Sequence, residues 1–246
     1  MAKIMNRYNG EVIVEGDELM RDLAIKNKKS LLDADLRGID LSVSNFDRSN
    51  FESADFGGSD LKYADFRDSN LKNSNLSNVD AENSFFDRTR LRAASIENSN
   101  FDSSSFADSD LRYAKIRNCT FEYTNFRGAD LRGIGIMGLD LRTAYLSGAK
   151  IEFYGFPSIR SLSFINLGSL SDFLTLELMR RDAYAHPHPE RFDEWAAEGN
   201  NCPYRGEERF WYFSEKAFLW KPGDPQMTDR DLIKAICEEK GWKLDY

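Results

Sequence analysis

Residues 31–71 read LLDADLRGIDLSVSNFDRSNFESADFGGSDLKYADFRDSNL, and from Leu36 onward every fifth position is apolar: Leu36, Leu41, Phe46, Phe51, Phe56, Leu61, Phe66, Leu71. Read outward, the series continues unbroken through Leu76, Ala81, Phe86 and Leu91 to Ile151. All 24 positions are apolar in a chain that is 41% hydrophobic, a coincidence on the order of one in a billion, so this is an internal repeat. Two residues before each of these positions the residue is usually small, as in Ala34, Ser44, Ser49, Ala54 and Ser59. Ile39, Val79, Ile134 and Leu139 are larger exceptions.

A period of five matches neither a helix at 3.6 nor a strand at 2, so the inward groups require the backbone to turn after every unit. Four units make a 20-residue comb, and on it like side chains fall together: Phe46, Phe66, Phe86, Phe106 and Phe126 on one tooth, Leu71, Leu91, Leu111 and Leu131 on another. Coils stacked at the usual strand spacing of about 4.8 Å would give six coils a length of roughly 29 Å. Nine phenylalanines in register supply the apolar area for a column with no second layer.

Units such as ADLRG, ADFRD, SNLKN and GADLRG resemble the pentapeptide-repeat family over roughly residues 34 to 155. The resemblance implies a mainly β fold, a right-handed quadrilateral β-helix. Such a rod has open ends that need covering. At the start, Lys3–Tyr8 and Glu11–Glu15 flank Asn9-Gly10, a type I′ hairpin signal, and Asp17 can cap a helix carrying Leu19, Met20 and Leu23. The expected organisation is an N-terminal cap over 1–30, the β-helix over 31–156 and a small α-rich aromatic C-terminal module over 157–246. In that module Ser171 can cap a helix running to about Tyr184, Pro189 opens another bearing Phe192, Trp195 and Ala196, and Thr228 with Asp231 starts a third that stops at Gly241. Between them Phe210, Trp211, Tyr212, Phe213, Phe218 and Trp220 point to a small aromatic core.

The chain has 246 residues, a net charge of −8 and three cysteines, Cys119, Cys202 and Cys237. Its length and composition exclude wholesale disorder, its longest apolar runs are far shorter than the roughly 20 residues that span a bilayer, and the start MAKIMNRYNG lacks a signal-peptide apolar segment. We therefore expect a cytoplasmic protein of a bacterial cell, without a disulfide framework, that does not bind nucleic acid or membrane directly. His186 and His188 with Cys202 invite a zinc or nucleophile reading, but no second cysteine stands at ligand spacing and the flanking prolines describe a rigid turn. No phosphate loop or nucleophile elbow is present, so the expectation is no cofactor, no metal and no catalysis.

Choice remains at the outward positions. On the face whose inward residues include Leu41, Leu61, Ala81, Phe101, Phe121 and Leu141, the preceding positions carry Asp40, Asp60, Asp80 and Asp140, and the following ones Glu82, Asp102 and Glu122 against Lys62 and Arg142. Seven acids face two bases. The opposite face has six bases, among them Lys72, Arg92, Arg112 and Arg132, against four acids. Aspartate before the inward residue also serves turns, whereas a column of Glu82, Asp102 and Glu122 repels itself unless a cationic partner or interleaved bases relieve it.

Some members of the family resemble a DNA duplex in size and charge and occupy the DNA site of topoisomerases such as gyrase. The present chain differs in having no loop insertion and a large C-terminal module. Its start NRYNGEVIVEG and the stretches HPERFDEWAAEG, FWYF and LWKPGDP resemble phage and prophage pentapeptide proteins. The resemblance implies a non-catalytic, phage-derived DNA mimic whose Asp40, Asp60, Asp80, Glu82, Asp102 and Glu122 engage a basic, DNA-binding surface of a bacterial DNA-processing or defence protein; it leaves homodimerisation open. The alternative is a scaffold whose C-terminal module binds a protein through exposed Trp195, Trp211 or Trp220. An enzyme in that module is the third and weakest reading.

Overall fold

A computed structural model describes residues 1–136, 139–154, 157, 162, 164–198, 213 and 216–245. In the repeat, the N–H three residues past an inward side chain donates to that residue's carbonyl, as from Ser49 to Phe46 (3.2 Å) and Ala54 to Phe51 (3.0 Å). The residue two past the inward one takes φ in the left-handed region, the geometry that a tight turn of type II demands. Seventeen non-glycine residues occupy that position at φ between 52° and 60°. Their strain is offset by hydrogen bonds to the next coil, because the same residue donates its N–H along the axis, as from Val43 to Lys62 O and from Arg48 to Arg67 O (both 2.8 Å).

Parallel bridges link residues 20 apart, running Asp40 to Asp60 to Asp80 on one side and Asn70 to Arg90 to Asp110 to Asp130 on another. Four five-residue units therefore make each coil, and the chain winds as a four-sided β-helix. Two successive rungs lengthen into three-residue strands, β4 (Ser95–Glu97) and β5 (Lys115–Arg117), which pair in parallel. Inside, the phenylalanines of the 46 comb stack with ring centroids 4.9–5.3 Å apart. Phe51, Phe56, Phe101 and Phe121 are likewise buried.

The small inward position does more than save volume. Its hydroxyl reaches back one coil to the carbonyl of an inward residue: Ser59 to Leu36 (2.6 Å), Ser69 to Phe46 (2.7 Å), Thr89 to Phe66, Ser99 to Leu76 and Thr124 to Phe101 (each 2.8 Å). Cys119 sits in this series, half-buried, with Sγ 3.2 Å from Ile96 O, and burial pushes its thiol up. Where the position holds Ile134 and then Leu139, neither the space nor the hydroxyl is available. There the sixth coil leaves the ladder: among the described residues no bridge forms above Lys115 or Thr120, while Tyr145 and Lys150 are bridged again to Asn125 and Asp130.

Both ends of the rod are covered. Strand β1 (Ala2–Asn6) pairs antiparallel with β2 (Val12–Gly16) and, on its other edge, with β3 (Ala34–Asp35) in the first coil. The turn differs from the type I′ expectation: Gly10 has φ +71°, but Asn9 is not left-handed. Instead Asn6 Oδ1 accepts the N–H groups of Tyr8 (2.9 Å) and Asn9 (3.2 Å), which holds a longer loop. Helix α1 (Met20–Lys26) starts from Leu19 with no side-chain cap, so Asp17 does not cap it; the helix buries Leu23 and Ala24.

At the other end Leu141 N–H donates to Phe164 O (2.7 Å), and β6 (Glu152–Tyr154) pairs in parallel with β7 (Lys243–Asp245). Helix α2 (Asp172–Tyr184) is capped by Ser171, α3 (Arg191–Glu198) follows Pro189, and α4 (Asp229–Lys240) starts at Thr228 and closes on Gly241 at φ 65°. Leu174, Leu178, Leu232 and Ile236 from α2 and α4 belong to the same buried cluster as the rod interior.

Candidate functional site: the acidic face

Side chains on the outside of the rod are placed by the turn. The residue before each inward side chain tends to be Asp or Asn because its carboxyl or amide oxygen accepts the N–H two residues on, closing an Asx turn. Asp40 does this for Ser42 N (3.0 Å) and Asp60 for Lys62 N (3.0 Å). Asp40 is exposed, and the hydrogen bond from the Ser42 hydroxyl at 2.6 Å is the main reason its carboxyl lies below the ordinary range. Asp80 is half-buried, paired with Lys62 Nζ at 2.6 Å, and accepts Asn100 Nδ2 at 3.3 Å. The column of Asp40, Asp60 and Asp80 is thus stacked as expected and is also part of the turn chemistry.

The neighbouring column is different. Glu82, Asp102 and Glu122 follow one another at successive coils, the backbone tied by Asn83 N to Asp102 O (3.0 Å) and Ser103 N to Glu122 O (2.7 Å). Asp102 Oδ1 accepts the Glu122 N–H at 2.7 Å. Neither the Glu82 nor the Glu122 carboxylate has an ion-pair partner among the described residues, and Lys62 and Arg142 stand at the two ends of the column, engaged by Asp80 and Asp140. Tyr63 and Tyr123, both exposed, stand at left-handed turn positions beside Lys62 and Glu122. Sequence reasoning passed over these two tyrosines; their placement two residues past the inward one was the available signal.

On the opposite face three of the six bases, Lys72, Arg112 and Arg132, are neutralised locally. Arg112 and Arg132 each grip the aspartate two residues before them, Asp110 and Asp130, with Nε and Nη2 at 2.6–2.8 Å, and Lys72 pairs with Glu52 at 3.1 Å. Among the described residues the two faces therefore differ in the sign of their unpaired charge, Glu82 and Glu122 on one and Arg92 on the other.

Two of the three tryptophans expected to be exposed anchors are not. Trp195 is 2% exposed, and Trp220 is half-buried with Nε1 donating to Asp193 Oδ1 at 2.7 Å. Trp211 lies outside the described residues, as do Cys202, Phe210 and Tyr212. His188 N–H donates to His186 Nδ1 (3.0 Å), and His188 Nδ1 lies 3.3 Å from Glu190. Among the described residues no group of three metal-ligating side chains is assembled, and no helix is long and apolar enough to cross a membrane.

A four-sided coil of five-residue turns defines the class, and the family model described as pentapeptide repeats matches eight copies between residues 30 and 133. Residues 30–133 of this chain are pentapeptide repeats. Among solved structures, a pentapeptide repeat protein of the Arabidopsis thaliana thylakoid lumen is 27% identical over 39% of this chain and 66% of its own, with a TM-score of 0.38. Rfr23 from the cyanobacterium Cyanothece 51142 is 26% identical over 43% and 58%, TM-score 0.27. QnrB1, a plasmid-mediated fluoroquinolone resistance protein, is 21% identical over 60% and 82%, TM-score 0.31. The chain spans less than two thirds of the length of the first two. No curated protein matches it.

Proposed function

We propose that this protein is a non-catalytic, phage-derived interaction protein whose acidic face occupies a basic, nucleic-acid-binding surface of a bacterial DNA-processing or defence protein; gyrase-like enzymes are within that class. The observation that carries the reading is the column Glu82, Asp102, Glu122, whose outer two carboxylates form no ion pair among the described residues, on a rod whose opposite face pairs Lys72, Arg112 and Arg132 with acids of its own. One charge per coil, about 4.8 Å, approaches the 3.4 Å per phosphate along one DNA strand. Self-repulsion along such a column is relieved when a cationic groove closes on it.

Reversal to lysine would align five bases from Lys62 to Arg142, so neutralisation is the cleaner test. Glu82→Gln, Asp102→Asn and Glu122→Gln together keep the oxygen that accepts the Glu122 N–H. Bacterial proteins retained by the immobilised wild type should be released by duplex DNA and by raised salt, and should not be retained by the triple variant. Retention unaffected by the three substitutions would remove the mimicry reading and shift the function to the C-terminal module.

A further inference from the structure

Among the described residues the upper edge of β5 is unpaired. Below it the rungs at Asp35, Asp55, Asn75, Ser95 and Lys115 are bridged in order, each coil donating N–H groups along the axis to the next, as Leu76 does to Ser95 O (2.8 Å) and Asn78 to Glu97 O (2.8 Å). Gly135 stands where the next rung belongs, yet no bridge forms, and the N–H groups of Ile116 and Asn118 have no acceptor among the described residues. Ile116 is 7% exposed, so this is a strand edge set into the wall rather than a frayed end. A groove of about 420 Å³ opens along it, between Tyr113 and Lys115 to Arg117 on one side and Gly133 and Gly135 on the other. A Cβ on Gly135 would meet nothing within 4 Å.

The rim of the groove is cationic. Lys115 and Arg117 are exposed and form no ion pair among the described residues, and Arg92, also unpaired, lies over the Tyr113 ring at 5.4 Å. The opposite edge of β5 is paired with β4, so only the groove side can accept a further strand.

We propose that this edge takes an extended acidic segment of a protein partner, added as a strand to β5. Backbone carbonyls of the segment accept the Ile116 and Asn118 N–H groups. Two residues of the segment, one apart, lie outward beside Lys115 and Arg117 at strand spacing and carry carboxylates. The residue between them points inward and is small, because Ile116 and Ile136, 7% and 2% exposed, leave little interior room. The motif is therefore acid–small–acid in extended conformation. It uses a surface of opposite sign from the acidic face, and it stands or falls independently of that reading.

The test uses full-length ¹⁵N-labelled protein and the peptide acetyl-Thr-Glu-Ala-Glu-Thr-amide. The Ile116 and Asn118 amide resonances should shift and their hydrogen exchange slow, with the rest of the spectrum unchanged. Lys115→Gln with Arg117→Gln should weaken binding about tenfold or more, and both side chains are exposed and unpaired, so the fold is expected to survive. Methylating both glutamate nitrogens of the peptide should abolish binding, which separates strand addition from simple attraction of an anion. The proposal is overturned if millimolar peptide leaves the two amides unmoved, if the double variant binds equally, or if the methylated peptide or free glutarate gives the same shifts.

Discussion

Phe66 and Phe86 lie one above the other with ring centroids 5.1 Å apart and planes within 2°, and Phe106 continues the stack 4.9 Å further on. The separation is that of the backbone rungs, so each ring is held by the coils above and below as well as by its neighbours. Truncation at Phe86 leaves a gap that neither coil can close. Phe86→Ala should lower stability by about 3–5 kcal/mol, and Phe86→Leu by less than about 1.5 kcal/mol. A urea titration reads both; a midpoint for the alanine variant equal to wild type would falsify the stacked-column account.

Val43 is 75% exposed and sits at φ 57°, a region that β-branched residues avoid. Its side chain earns nothing from the core, while its N–H bond to Lys62 O at 2.8 Å pins the conformation. Asparagine tolerates the left-handed region and occupies the equivalent place at Asn73, Asn78 and Asn83. Val43→Asn should therefore raise stability by about 1 kcal/mol, seen as a higher denaturant midpoint with unchanged slope. A lower midpoint would mean that the strain is not felt there.

The five-residue period and the 20-residue comb were legible because burial selects apolar residues strictly, and Ser171, Thr228 and Gly241 were legible because helix ends have few chemical solutions. The turn itself was hidden. Its left-handed position holds Val43, Arg48, Tyr63 and Tyr123, residues with no preference for it, because hydrogen bonds between coils override local propensity. For the same reason Asn9-Gly10 misled: the Asn6 side chain organises the loop. In the candidate site, Asp40 and Asp60 were readable as turn residues, and the charge columns as columns. The pairing of Lys62 with Asp80 rather than Glu82 depends on side-chain reach across coils and has no sequence signature. The open edge above β5 was foreshadowed by Ile134 and Leu139 in the small position, but the resulting departure of the coil is a tertiary event.

The Ser74 hydroxyl is buried without a partner among the described residues, whereas Ser69 Oγ donates to Phe46 O and accepts from Ser49 N (3.1 Å) and Ser49 Oγ (3.0 Å). The same substitution at the two sites should have opposite signs. Ser74→Ala removes an unmet polar group and should stabilise by about 1 kcal/mol; Ser69→Ala leaves buried groups unpaired and should destabilise by about 1–3 kcal/mol. Equal effects at the two positions, measured by thermal unfolding, would show that the hydroxyl bonds between coils contribute nothing specific.

Asp35, Asp65, Asp110, Asp130 and Asp140 each receive Nε and Nη2 of the arginine two residues on, at 2.6–2.9 Å. Those bonds are the leading reason that all five carboxyls lie below the ordinary range. Groups depressed by folding stabilise the native state fully above the unfolded aspartate value of about 3.9 and lose that contribution as pH falls through their folded values. The melting temperature should therefore be level near neutrality and drop below about pH 4. Asp130→Asn should lower the neutral value and flatten the acid limb; an acid limb as steep as in wild type would show that the pair is not coupled to folding.

Strand β7 closes the far end of the rod. Lys243 N–H donates to Ile151 O (2.8 Å), Lys243 Nζ pairs with Glu152 (2.6 Å), and Trp242 sets its ring against Phe153 with centroids 6.0 Å apart. Removing residues 243–246 takes away the strand but leaves Trp242 and α4 in place, so the change isolates the edge. The exposed β6 then presents unpaired backbone groups beside an apolar side chain, the arrangement that recruits a second strand. The truncated chain should melt lower, by about 2–4 °C for each kcal/mol lost, and should self-associate with rising concentration in light scattering. Adding a lysine at the new edge, as Phe153→Lys, is not a usable control because Phe153 is buried; Glu152→Lys, on the outward side, is, and it should suppress the association without restoring the melting temperature. A truncated protein that stays monomeric and melts with wild type would show that the end of the rod is protected by α4 and Trp242 alone.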